Sequence, residues 1–193
     1  MSLIPEFELG VWNAWILMLS SFGIMIPLWI LARLRGWKSS SRPASWPLNE
    51  TEKKLDRIAN LFSLAFIIYS VFLPLKLGTA WFYVGLLVYL FGMIFSFVAA
   101  HNLNSTPADR VATKGLYRIS RNPGYLGMLI FFIGIGLACA SWLFLLLGAI
   151  AQILQNICLD AEERWCLETY GDAYRDYMNS TPRWIGKPRR TAS

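Results

Sequence analysis

The sequence predicts an all-α, polytopic membrane protein: a helix bundle with five transmembrane helices, the last two forming a hairpin. Three observations carry this. Of 193 residues, 55% are hydrophobic and 16% charged, whereas a soluble domain carries about a quarter charged residues. The charges are segregated, with long runs almost free of Asp, Glu, Lys and Arg between polar segments. Seventeen of the eighteen Lys and Arg residues fall in three such segments, Lys76 being the exception.

A span needs about 20 mostly apolar residues. The first candidate is 11–32, in which Pro27 is tolerated as a kink. A polar segment follows, with RGWKSSSRP and NETEKKLDR. The second span is 58–75, closed by Pro74 and a tight connection through Lys76 and Gly78, and the third is 80–100. After a polar loop, the apolar run Tyr125–Ile157 is too long for one span at about 1.5 Å per residue. Dividing it near Cys139–Trp142 gives spans 125–139 and 142–158. With five spans, all three basic segments lie on one side and the acidic N-terminus, with Glu6 and Glu8, on the other. The positive-inside rule makes the basic side cytoplasmic. One span in place of the hairpin would put the basic tail opposite the basic loops. The N-terminus lacks the basic start of a signal peptide, so the first run is expected to stay in the membrane. The chain reads as one membrane domain, with 185–193 a polar basic tail.

The net charge of +6 does not indicate nucleic acid, because the basic residues flank apolar runs instead of forming a basic domain. Cys139, Cys158 and Cys166 fit no metal spacing and no disulfide framework, so no metal is expected. Gly127, Gly134, Ala138 and Ser141, spaced by seven, four and three, share a helix face that invites close helix approach. Trp12, Trp37, Trp81 and Trp142 sit near span ends, as interfacial aromatics do.

Polar residues in or bordering a span are costly and mark candidate sites. Gln152, Gln155, Asn156 and Glu163 fall within about 100° on a helical wheel, with Asp160 and Glu162 at its flanks. This is either a polar stripe leading to a carboxylate pair or a solvated helix end with interhelical hydrogen bonds. The segment Arg110–Gly127 gathers Arg118, Arg121, Tyr117, Tyr125 and several glycines. Pro123 suits a first helical turn and Asn122 an N-cap. A helix N-terminus with nearby Arg is suited to a carboxylate. His101 reads as an interfacial polar residue.

The pairing of R-N-P-G-Y (Arg121–Tyr125), a helical hairpin, and A-E-E-R-W-C-L-E-T-Y-G-D-A-Y-R-D-Y (Ala161–Tyr177) resembles the isoprenylcysteine carboxyl methyltransferase family, in particular its prokaryotic five-span members. The resemblance covers roughly 109–184. It implies an integral membrane methyltransferase that uses S-adenosyl-L-methionine. It implies cofactor binding by Val111, Ala112, Tyr117, Asn122, Pro123, Gly124, Tyr125, Glu162 and Glu163; Arg118 or Arg121 suits the cofactor's carboxylate by charge, and Arg121, Tyr125 and Glu163 are expected nearest the chemistry. The wheel favours Glu163 and the family pattern Glu162, so both stand. Asn122 replaces the usual His, and Cys158 replaces an Arg linked to substrate binding in eukaryotic members. The implied partners are membrane lipids and a lipophilic or lipid-modified acceptor, with no nucleic acid and no protein partner. The expected acceptor group is a carboxylate such as a prenylcysteine-like C-terminus. A lipid amine, or lipid binding or transport without catalysis, stays open.

Overall fold

The computed structural model describes residues 9–20, 26, 30, 34, 48–107 and 109–186, with the backbone alone for 156–158. Among the described residues the regular elements are helical. They are α1 (Glu50–Val71), α2 (Ala80–Asn104), a 3-10 turn (Gly115–Arg118), α3 (Pro123–Ala138), α4 (Trp142–Tyr170) and α5 (Asp172–Ser180). Residues 14–20, 26, 30 and 34 are also helical. Residues 21–25, 27–29 and 31–32 of the first expected span, Pro27 among them, lie outside the described residues, as do 35–47 and 187–193. By length and composition, α2 and α4 can each cross a membrane, and α3 is a shorter apolar helix.

Local chemistry sets the ends of these helices. α1 begins eight residues before the expected span, because Asn49 and Glu52 form a reciprocal capping box, each side chain accepting from the other's N–H at 2.8 Å. The helix stops at Val71, and Pro74 bridges antiparallel to Asn13. Thr79 caps α2, its hydroxyl accepting from Phe82 N–H.

The long apolar run breaks where the charge pattern requires. Cys139 ends α3, Ala140 takes φ 50°, and two N–H groups turn back, Ala140 to Leu137 O and Ser141 to Gly136 O. This is a Schellman closure with alanine at the left-handed position. Ser141 then accepts from Phe144 N–H and starts α4. Ser141 is therefore a cap and not the fourth member of a packing stripe. α4 also runs twelve residues past the expected span end, so the polar tail begins as helix.

The remaining stripe packs as expected. A Cβ placed on Gly134 would lie 2.3 Å from Tyr89 N, and one on Gly127 would lie 2.2 Å from Ser96 Oγ. From the other side, Cβ atoms on Gly85 and Gly92 would meet the backbones of Ala138 and Phe131 at 2.2 and 2.5 Å. α2 and α3 thus run antiparallel, backbone against backbone. α4 returns antiparallel along α3, with Leu145 against Gly136 and Phe132 against Gly148. Phe66 of α1 meets Phe132 and Phe144 with ring centroids 5.4 and 4.5 Å apart.

The bundle has two unlike ends. At one, Ala14 N–H donates to Leu73 O, Leu75 N–H to Trp12 O, and Lys76 N–H to Ala138 O. At the other, the first turn of α1 is tied to α4 by a two-toothed pair, Arg164 Nη1 and Nη2 to Glu52 at 3.0 and 2.8 Å. The described basic residues other than Lys76 belong to the segments at this second end.

Two substitutions test the packing. Gly134→Ala is expected to cost about 1–3 kcal/mol through overpacking, whereas Gly148→Ala, whose Cβ would meet Phe132 at 3.4 Å, is expected to be tolerated. Thermal melts in detergent read the difference. Ala140→Gly is expected to raise stability by about 1 kcal/mol, because glycine holds the left-handed conformation without penalty.

Candidate functional site

The polar end places the R-N-P-G-Y segment against the second half of α4. Pro123 occupies the first turn of α3, as expected. Asn122 stands at the N-cap position, but its side chain makes no capping bond. Its Nδ2 instead donates to Glu163 Oε1 at 3.4 Å and to Arg183 O at 3.3 Å. The expected Asn cap is thus absent, because the buried amide finds acceptors across the site. The first turn of α3 receives no side-chain cap from Asn122.

Glu163 is the hub. Its Oε1 lies 3.6 Å from Arg121 Nη2 and 3.6 Å from Arg183 Nε, besides the Asn122 contact. The Arg121 and Glu163 side chains are 10% and 12% exposed, so their charges interact in a medium less polar than water. Arg121 Nε and Nη1, and Arg183 Nε, are buried with no hydrogen-bond partner among the described residues. A buried unmatched donor costs about 1–3 kcal/mol, and no acceptor among the described residues offsets that cost for the Arg121 guanidinium.

The other candidates surround this pair unequally. Tyr125 and Gly124 follow in the first turn of α3, and a Cβ on Gly124 would meet nothing within 4 Å, so space opens there. The Tyr125 carbonyl accepts from the buried Gln152 Nε2 at 3.2 Å, which ties the polar stripe of α4 to α3. Gln155 is half-buried, and the Asn156 and Cys158 side chains lie outside the described residues. Val111 and Tyr117 pack with Cys166, Tyr174 and Tyr177, and Ala112 is buried. Arg118 is exposed at the end of the 3-10 turn and does not join Arg121. Glu162, one residue from the hub, is half-buried. Its charge bears on the Tyr174 phenol. His101 is exposed in the last turn of α2.

Gly171 makes the second half of the site possible. At φ 55° and ψ −128°, a conformation open essentially to glycine alone, it breaks α4 from α5. This folds Tyr174 and Tyr177 back beneath the 110–122 loop, where Tyr177 Oη donates to Tyr117 O at 2.7 Å. Burial pushes both phenols well above the ordinary tyrosine value. Nearby charges modulate this, with Glu163 raising both and Arg121 opposing it.

Ser120 and Arg183 are missing from the sequence-derived candidates. Ser120 is 1% exposed, accepts from Asn122 N–H and donates to Arg183 O. Arg183 reads in the sequence as one of six basic tail residues; the tail's return to α3 is a tertiary event.

The comparisons with known proteins fit this placement. A family model, phospholipid methyltransferase, matches residues 80–173, just short of half the chain. The matched segment runs from the start of α2 to the start of α5 and holds Arg121, Asn122 and Glu163. No curated protein matches the chain. The match and the two long apolar helices support a membrane methyltransferase acting on lipid-like substrates.

The buried tyrosines give a pH prediction. A phenol kept protonated by burial ionises first in the unfolded chain. The stability it lends is therefore complete below about pH 10 and falls as pH rises above it. The wild type is expected to lose thermal stability above that pH, and Tyr174→Phe is expected to flatten the loss, read as melting temperature against pH.

Proposed function

We propose that the chain is an integral membrane methyltransferase that uses S-adenosyl-L-methionine and transfers a methyl group to a lipophilic acceptor. The observation that carries this reading is Arg121: two buried donors without hydrogen-bond partners among the described residues, beside Glu163 and the start of α3, within the segment that matches a methyltransferase family. When bound, the cofactor supplies an electrophilic methyl on a sulfonium.

The residues fit its polar groups. Arg121 Nε and Nη1 with the first N–H groups of α3 suit its carboxylate. Glu163, whose Oε1 accepts from Asn122 and lies 3.6 Å from two guanidiniums, suits its ammonium or ribose hydroxyls. The aromatic faces of Tyr117 and Tyr125 suit its adenine or its cationic sulfonium. Between Glu162 and Glu163, this reading takes Glu163 as the cofactor carboxylate. Methyl transfer is a displacement in line, so positioning and exclusion of water are what the protein supplies. No base is needed for a carboxylate acceptor.

In this reading the polar end faces the cytoplasm, five spans cross the membrane with the N-terminus outside, and the acceptor enters from the lipid while the cofactor enters from water. The acceptor group is a carboxylate such as a prenylcysteine-like C-terminus, as the R-N-P-G-Y and E-E pairing implies. A second reading, methylation of a phospholipid amine, is favoured by the phospholipid methyltransferase match.

Calorimetric titration of the detergent-purified protein with S-adenosylhomocysteine tests the cofactor assignment. Arg121→Gln and Glu163→Gln are each expected to weaken binding tenfold or more, about 1.4 kcal/mol. A folded wild type that does not bind it overturns the reading. Methyl groups transferred to lipid and released by mild base indicate a carboxylate acceptor, and base-stable methyl groups indicate an amine.

A further inference from the structure

The chain beyond α5 turns back onto the loop that opens α3. Arg121 N–H donates to Pro182 O at 3.0 Å, and Ser120 Oγ and Asn122 Nδ2 both donate to Arg183 O, at 3.1 and 3.3 Å. Thr181 is buried and its N–H donates to Tyr177 O at 2.9 Å, which ties the same stretch to α5. The Arg183 side chain reaches α4 at two points. Its Nη2 is hydrogen-bonded to Asp160, and its Nε lies 3.6 Å from Glu163 Oε1. Asp160 and Glu163 are one helical turn apart, so one planar guanidinium spans both carboxylates.

We propose that residues 181–184 are a strap that completes the cofactor site, with Arg183 the positioning residue for Glu163; this rests on the cofactor reading above. The strap lies beyond the matched segment, which ends at residue 173. Glu163 Oε1 stands between two guanidiniums at equal distances of 3.6 Å. Arg183 draws the carboxylate away from Arg121 and leaves the buried Arg121 donors to a ligand. Without that pull, Glu163 closes onto Arg121, and the two satisfy each other at the expense of the ligand's carboxylate. Asp160, 60% exposed, adds little stability in this pair; it holds the orientation of Arg183. The bonds that fasten the strap use the Arg183 carbonyl, so shortening its side chain leaves the strap in place.

The test is calorimetric titration of the full chain in detergent with S-adenosylhomocysteine, for wild type, Arg183→Ala, Arg183→Lys, Glu163→Gln and the Arg183→Ala/Glu163→Gln double variant, each with a thermal melt. Arg183→Ala is expected to weaken binding about tenfold with little change in melting temperature. Arg183→Lys, which keeps the charge and loses the fork, is expected to recover part of it. In the Glu163→Gln background, Arg183→Ala is expected to cost nothing further, because it acts through Glu163. If the alanine variant does not fold, Arg183→Lys alone and in the Glu163→Gln background carries the same comparison, and wild-type affinity in the Lys variant overturns the proposal. Unchanged affinity in Arg183→Ala, or equal and additive losses in the two backgrounds, also overturns it. A wild type that fails to bind overturns the cofactor reading itself, which separates the two failures.

Discussion

The contact of α2 with α3, backbone against backbone, is the constraint on which the rest of the structure depends. It exists because Gly85, Gly92, Gly127 and Gly134 present no side chain where the helices meet, and any Cβ there would fall well inside van der Waals distance. In lipid, where burying apolar surface against another helix gains little over burying it in hydrocarbon, such contact is a main source of cohesion. It also fixes the register. Ser96 lies opposite Gly127, so the last turn of α2 lies alongside the residues just before α3. The loop between them is thereby confined to the polar end of the bundle, with Arg121 and Asn122 at its inner edge.

The charged cluster follows from that confinement. α4 is one continuous helix from the apolar Trp142 to Tyr170, and the α3–α4 hairpin brings its second half level with the start of α3. Gln152 bonded to the Tyr125 carbonyl sits two turns above Asp160 and three above Glu163, so one helix carries a polar line from the apolar part of the bundle to the carboxylates. The near-buried Arg121 guanidinium, the half-buried Arg183 guanidinium and an amide then converge on one carboxylate oxygen at 3.4–3.6 Å. That arrangement neutralises Glu163 while leaving donors of Arg121 unmatched. A cluster built purely for stability would close those contacts, since unmatched buried donors are costly.

The outer shell of the site comes from the short elements after α4. Gly171 turns the chain, α5 packs Tyr174 and Tyr177 under the 3-10 turn, and the stretch around Arg183 closes on Ser120 and Asn122. On the opposite flank, Glu52 serves two purposes, capping α1 and receiving Arg164. The Arg164 guanidinium and the Asn49 N–H hold its carboxyl below the usual carboxylate range. α1 is therefore anchored to the polar half of α4 by charge and to the apolar half by Phe66.

The helical class, the segregation of charge and the division of the Tyr125–Ile157 run are determined by the sequence alone, because a bilayer writes length and polarity directly into the chain. The stripe of Gly127, Gly134 and Ala138 is likewise a local periodicity. Arg121, Asn122 and Glu163, which cluster in the structure, are legible as candidates, since a helix start and a helical wheel need only sequence spacing. Tertiary structure alone decided the rest. Asn122 forgoes its cap because acceptors lie across the site, and Ser141 leaves the packing face because a left-handed Ala140 turns the chain before it. The helical wheel favours Glu163 over Glu162, and the packing of α4 against α3 sets Glu163 beside Arg121 and Asn122. Arg183 joins the cluster only because Gly171 and α5 fold the tail back over sixty residues of sequence, a long-range contact that no local pattern records.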